Sequence, residues 1–152
     1  MRERGWLKQQ MQNAADMVQS LPPWMRGGER TSLPVKQVIA VRNDLNMRKG
    51  KFGGQVAHAS SAFLEEIIWA AKEITPAMQA WRETGRTKIV LQVDSEEHLM
   101  AIFQQAQTAG LETHLIQDAG KTEFGKPTYT CVAIGPNEVE KIDAITKTLK
   151  LW

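Results

Sequence analysis

One cysteine, Cys131, occurs in 152 residues. No disulfide can close within the chain and no cysteine-based zinc site can be built, which fits a reducing, cytoplasmic location. Cys131 lies in the apolar run YTCVAI, where a buried, inert thiol is expected rather than a nucleophile. Apolar residues never run long enough to cross a bilayer, so no membrane association is expected. Arg2, Arg4 and Lys8 precede no apolar stretch of the kind a secretory signal needs. A net charge of only +2 gives no global basic field, so a nucleic-acid partner would have to be held by a local patch. Low-complexity tracts and internal repeats are missing too. Gly50-Lys51 lacks the upstream glycine and the following hydroxyl of a phosphate loop, no G-x-G-x-x-G follows the first strand, and there is no G-x-S-x-G elbow. His58, His98 and His114 fall on separate elements without ligand spacing, so no metal is expected. His98 and His114 read as surface residues.

What is present suits one domain with a proper core: 42% of residues are hydrophobic and 24% charged. The chain is organised around VIAVRNDLNMRKGKFGGQVAHASS, residues 38–61. Residues 38–41 are consecutive apolar residues with β-branches, the pattern of a short strand covered on both faces. A charged turn follows, in which Asp44 reads as a brace, and helical spacing begins just after Gly50. Phe52, Val56, Ala59 and Phe63 share one helix face, and Lys51, Gln55 and His58 share another. The first turn of such a helix stands outside the carboxyl end of a strand, where open α/β sheets bind ligands. Gly53 and Gly54 cost helix stability there, about 1 kcal/mol each against Ala. They are explained most easily by a close approach of another backbone or a ligand. Residues 42–51 carry four basic residues against one acid and form the best basic patch.

Residues 1–33 differ in character from the rest. Leu7, Met11, Ala14, Val18 and Leu21 recur at steps of four and three, giving a two-heptad helix that Pro22 and Pro23 stop. It reads either as an arm for a partner, a second subunit in a homodimer or RNA, or as a helix packed on its own domain. Trp24, in the linker that follows, is expected to pack somewhere. Beyond the opening strand, helix 52–72 is followed by a shorter helix that Thr75-Pro76 starts, ending at Thr84-Gly85. Strand 88–93 then leads to a helix capped by Asp94 or Ser95, with Leu99, Ile102, Phe103 and Ala106 on its buried face and Gly110 closing it. Strand 113–116, a polar loop from 118 to 126, strand 128–134, a Gly135-Pro136 turn and helix 138–149 complete the chain. The alternation predicts an α/β three-layer sandwich, with a mixed four-stranded sheet in residues 34–152, helices on both its faces, and an N-terminal helical extension.

Asp118-Ala119-Gly120-Lys121-Thr122 leaves the carboxyl end of the third strand. A carboxylate, a glycine and a hydroxyl four residues on could position a water and polarise a substrate; equally, Asp-x-Gly is a common turn. If this loop and the first helix face one cleft, Lys51 and Gln55 stand opposite Asp118 and Thr122.

VRNDLNMRKGKFGGQVAHAS, Trp81-x-x-x-Gly85-x-x-Lys88, GLETHLIQDAGKT and AIGPNEVEKIDAITKTLKLW, in that order, closely resemble the archaeal and eukaryotic type of peptidyl-tRNA hydrolase. The resemblance covers residues 35–152. It implies a mixed four-stranded sheet between helices, no cofactor, and hydrolysis of the ester joining a peptide to the 3′ ribose of tRNA. Lys51, Asp118 and Thr122 fall on the family's functional lysine, aspartate and threonine, and Gln55 and His58 on its helix glutamine and histidine. On this reading Asp118 orients the water, with positioning mattering more than basicity, and Thr122 holds the water or ester oxygen. Lys51 stabilises the oxyanion or anchors the terminal phosphate. Gln55 is a plausible amide donor, and His58, grouped with the tRNA-binding residues, is expected to make a structural hydrogen bond. Arg42, Arg48, Lys49 and Lys121 would contact tRNA phosphates. The chain departs from the family where Arg48 replaces a usual glycine, Phe52-Gly53-Gly54 replace small residues, and Glu123 to Pro127 replace a glutamine and an Ala-Pro-Gly turn. Glu123 is expected to repel phosphate or raise the pKa of Asp118. The alternative is a non-catalytic tRNA-binding or protein-binding module on the same scaffold.

Overall fold

A computed structural model of the chain describes residues 3–21 and 33–152. The linker with Pro22, Pro23 and Trp24 lies outside the described residues. Helix α1 (Glu3–Ser20) occupies the two-heptad stretch, and its Met11, Met17 and Val18 side chains are exposed.

The sheet is built around β1 (Val35–Arg42), whose eight residues are all buried. It pairs in parallel with β2 (Lys88–Val93) and antiparallel with β4 (Thr128–Glu138). Strand β3 (Thr113–Asp118) pairs antiparallel with the far side of β4, so β3 and β1 run the same way and end at the same edge. A fifth strand, β5 (Lys150–Leu151), pairs antiparallel with β2 and gives the order β3-β4-β1-β2-β5. The sheet is therefore mixed but five-stranded, not four-stranded. Two residues are too short a stretch to show a period of two. The strand exists because the Trp152 N–H donates to the Val90 carbonyl at 3.1 Å and the Trp152 ring stacks on Phe52 at 4.5 Å.

Alternate residues of β1 feed opposite cores. Val38 and Ala40 pack with Leu99, Ile102 and Ala106 of α4 (Glu96–Thr108) and with Ile142 of α5 (Val139–Thr146). Ile39 and Val41 pack with Ala59 of α2 (Lys49–Trp69). Val35, also on that side, packs with Phe63 of α2 and with Met78 and Trp81 of α3 (Pro76–Glu83). Helix α3 begins where expected, with Thr75 Oγ1 accepting the Met78 N–H, and Ser95 rather than Asp94 caps α4.

Strand β4 runs on through Gly135-Pro136 instead of turning there, and the last helix is correspondingly short. Gly135 has φ +89°, and a Cβ on it would lie 2.7 Å from the Lys36 carbonyl oxygen. A register shift between Lys36 and Val38 takes up the irregularity, which lets a proline sit in a strand. Helix α2 starts earlier than its pattern suggests, so Lys51 belongs to its first turn, and it stops three residues short of Lys72. Among the described residues beyond the helix's own backbone, nothing lies within 4 Å of where a Cβ would stand on Gly53 or Gly54. A close approach of the chain's own backbone therefore does not account for them.

Candidate active site

Helix α2 and strand β3 bring together two segments far apart in sequence. Lys51 forms an ion pair with Asp118, the last residue of β3, and its Nζ donates to Thr122 Oγ1 at 3.1 Å. Both charged side chains are largely withdrawn from water, at 15% and 11% exposure. One turn further along α2, Gln55 is buried and donates from Nε2 to Asp118 Oδ1 at 3.2 Å. Its own Oε1 accepts the Thr130 hydroxyl at 2.6 Å, which fixes the amide's orientation. Asp118 Oδ2 accepts the Gly120 N–H at 2.8 Å. The four residues assigned to chemistry thus form one hydrogen-bonded group, in direct contact rather than facing each other across a gap.

Gly120 makes the loop after β3 possible. Its φ is +79°, and a Cβ there would lie 2.1 Å from the Lys126 carbonyl oxygen, so the loop can fold back only on a glycine. The Lys51 ammonium also lies 5.5 Å from the centre of the Phe124 ring.

The bond from Lys51 is the main influence holding the Asp118 carboxyl below its ordinary pKa. Burial opposes it, while the Gly120 N–H and the charges of Lys51 and His58 add to it. Glu123 does not raise the Asp118 pKa. Instead its carboxylate accepts from Arg48 Nε at 2.8 Å and from the Arg48 backbone N–H at 3.3 Å. Burial pushes the Cys131 thiol up to about 12, in keeping with an inert buried cysteine.

The basic residues separate into two groups. Arg42 is buried and committed. It donates to both carboxylate oxygens of Asp44 at 3.1 and 2.7 Å, to Glu96 at 2.6 Å and to the Tyr129 carbonyl at 3.1 Å. Its bonds to Asp44, outweighing burial, and the charges of Asp44 and Glu96 raise its pKa. Arg42 thus joins β1, β4 and α4 and presents no face to a phosphate, contrary to expectation. Lys49, Lys121 and His58 are exposed, and the Arg48 side chain is 79% exposed. The His58 ring makes no hydrogen bond among the described residues, so the expected structural bond is not found. His114, expected at the surface, is buried, with its Nε2 2.6 Å from Glu112 Oε1.

Thr130, Phe124 and the Arg48–Glu123 contact were not picked out from sequence. Thr130 lies on strand β4, behind Gln55, in an apolar run that carries no motif. The Trp81 to Lys88 segment is structural: Trp81 Nε1 donates to the Thr87 carbonyl at 2.8 Å, and Lys88 Nζ lies 4.5 Å from the Trp81 ring centre.

The family model described as Peptidyl-tRNA hydrolase PTH2 matches residues 35–152. Among curated proteins, the peptidyl-tRNA hydrolase of Methanococcus maripaludis strain C6 is 43% identical over 116 residues, covering 76% of this chain and 97% of the relative. That of Methanocaldococcus jannaschii is 42% identical over 117 residues, covering 77% and 99%. That of Sulfurisphaera tokodaii is 42% identical over 120 residues, covering 78% and 99%. A solved Agrobacterium protein of unknown function superposes with a TM-score of 0.51 at 14% identity, over 78% of this chain and 97% of its own, a likeness of fold alone. With the match running from the first residue of β1 to Trp152, the chain belongs to the peptidyl-tRNA hydrolase family PTH2.

Proposed function

We infer that this chain hydrolyses the ester bond of peptidyl-tRNA, releasing the peptide as an acid and the tRNA with a free 3′-terminal hydroxyl. Residues 34–152 form the hydrolase domain and residues 1–33 an extension to it. The observation that carries the assignment is the convergence of Lys51, Gln55, Asp118 and Thr122 on one hydrogen-bonded group at the edge where β1 and β3 both end. That edge is where a sheet of this kind takes its ligand.

The chemistry follows from the state of each group. With Asp118 Oδ1 accepting from Lys51 and Gln55 and Oδ2 from the Gly120 N–H, its carboxylate is ionised but a feeble base. It holds the ammonium and orients water rather than stripping a proton outright. An ammonium has three N–H bonds; two go to Asp118 and Thr122, and the third is free for the oxygen that becomes negative as water attacks the ester carbon. The Thr122 hydroxyl oxygen accepts from Lys51 and keeps its own proton to donate to the ester or to the water. As the tetrahedral adduct collapses, the carbon–oxygen bond to ribose breaks and the ribose oxygen takes the proton that the attacking water gives up. Lys49 and Lys121, both exposed, supply the sequence-blind contact with phosphate, and Arg48 and His58 border the same opening. Arg42 is left out of that set.

The test is turnover of an N-acetylated aminoacyl-tRNA by the purified chain. Hydrolysis is expected for the unaltered protein and a loss of about 100-fold or more for Asp118→Ala, with an unchanged circular-dichroism spectrum. Binding of tRNA without release of the acylated amino acid would reject the esterase.

A further inference from the structure

We propose that Arg48 and Glu123 form a brace across the mouth of this site, with Glu123 a positioning residue that sets Thr122 against Lys51. The proposal rests on the hydrolase reading above.

Among the described residues, hydrogen bonds tie the loop after Asp118 to helix α2 at two adjacent places. Thr122 receives Lys51, and the next residue, Glu123, receives Arg48. Arg48 is the N-cap residue of the 21-residue α2, and its own side chain makes no capping bond. Glu123 meets the start of the helix from outside it, at the N-cap residue itself. Its Oε2 accepts the Arg48 backbone N–H at 3.3 Å while its Oε1 accepts Arg48 Nε at 2.8 Å. A carboxylate is favoured at the positive end of a helix, and two bonds to one carboxylate fix its orientation where one would let it swing. Exposure is unequal: 15% for the Glu123 side chain against 79% for Arg48, so the acid is tucked in and the guanidinium lies over it.

The consequence is local and directional. Thr122 sits between Gly120, whose backbone is fixed by the Asp118 carboxylate, and Glu123, fixed by the helix end. Releasing Glu123 frees the downstream side of Thr122, and with it one of the ammonium's two partners. The Asp118–Lys51 pair stays in place. The expected loss therefore falls on the rate of the bound complex more than on tRNA affinity.

The decisive experiment uses the full chain and N-acetylated aminoacyl-tRNA, with kcat and KM measured separately at two salt concentrations. Glu123→Ala and Arg48→Ala should each lower kcat about fivefold, equivalent to ~1 kcal/mol, the upper end for an exposed pair. KM should stay within about twofold, and the double variant should be no slower than the slower single one. Arg48→Lys, which keeps a cation over Glu123, should recover most of kcat. Amide exchange over residues 119–127 should quicken in both single variants. The brace is overturned if the two losses multiply, if exchange is unchanged, or if Arg48→Ala acts only by raising KM with a weaker salt dependence, which marks a phosphate contact. Should the unaltered chain prove unable to hydrolyse the substrate, the hydrolase reading fails on its own, and the exchange comparison still decides whether the brace exists.

Discussion

Helix α2 has a lysine–carboxylate cluster at each end, and the two are built from the same chemistry for different ends. At its start, Lys51 meets Asp118, Thr122 and, through Asp118, Gln55. Just past its end, Lys72 Nζ lies 2.7 Å from Glu66 and 2.7 Å from Glu112, with His114 against both acids. Burial works to lower the Lys72 pKa, but its bonds to Glu112 and Glu66 outweigh that and raise it. Burial likewise works to raise the Glu112 pKa, and bonds from His114 and Lys72 hold it down. Glu66, Glu112 and His114 could by spacing hold a metal ion, with ligand atoms within 4.8 Å of one another, but the Lys72 ammonium already lies on both carboxylates. The second cluster is closed on itself: every charge in it has a partner within the chain. The first, though its charges are paired as well, stands on a helix turn whose glycines leave the backbone bare, at the edge where the strands end. Location relative to the strand ends separates a site from a staple, since at the carboxyl edge the connecting loops splay apart and leave room for a ligand.

Exchanging one alteration between the two ends tests the contrast most severely. On the proposed mechanism Lys51→Met should lower kcat on N-acetylated aminoacyl-tRNA by about 100-fold, because the ammonium offered to the developing oxyanion is gone. Lys72→Met should leave kcat unchanged and instead lower unfolding stability in urea by about 1–3 kcal/mol, the cost of leaving a nearly buried Glu112 carboxylate without its ammonium. A large rate loss from Lys72→Met would erase the distinction. Acid sharpens it in another way. Asp118 and Glu112 both have folded-state pKa values below their ordinary ones. The stability each contributes is full above the unfolded value of about 4 and is lost as pH falls below it. Stability measured against pH should therefore fall on that acid limb, and Asp118→Asn or Glu112→Gln should each make the fall shallower. The smallest effect concerns Cys131, which lies between the two clusters on β4. With the thiol buried and its pKa near 12, N-ethylmaleimide should leave the native chain unlabelled and fully active at neutral pH, and label it only in denaturant. Labelling of the native chain would show that the thiol is not buried.

Much of this arrangement was legible in the residues. The glycines and the Lys51, Gln55 spacing marked the start of α2, and Asp118 to Thr122 marked a loop leaving a strand. What escaped was decided by contacts between distant segments. Arg42 looks like a phosphate ligand because it follows a strand in a basic stretch, yet Glu96, 54 residues on, and Asp44 consume it. His114 alternates in its strand like an outward residue, but Glu66 arrives from the end of α2 and covers it. Glu123 read as a charge that would disturb Asp118, and Arg48 neutralises it.

The sequence by itself determined the order of the helices and of the four longer strands, the buried faces, the inert cysteine and the residues proposed for ester chemistry. These depend on periodicity, capping and side-chain type, which are properties of short stretches. Only the tertiary structure decided the fifth strand, the length of β4 and which charges are paired inside the chain. A pairing partner is chosen by the packing of segments that the chain holds dozens of residues apart, and no local pattern encodes that choice.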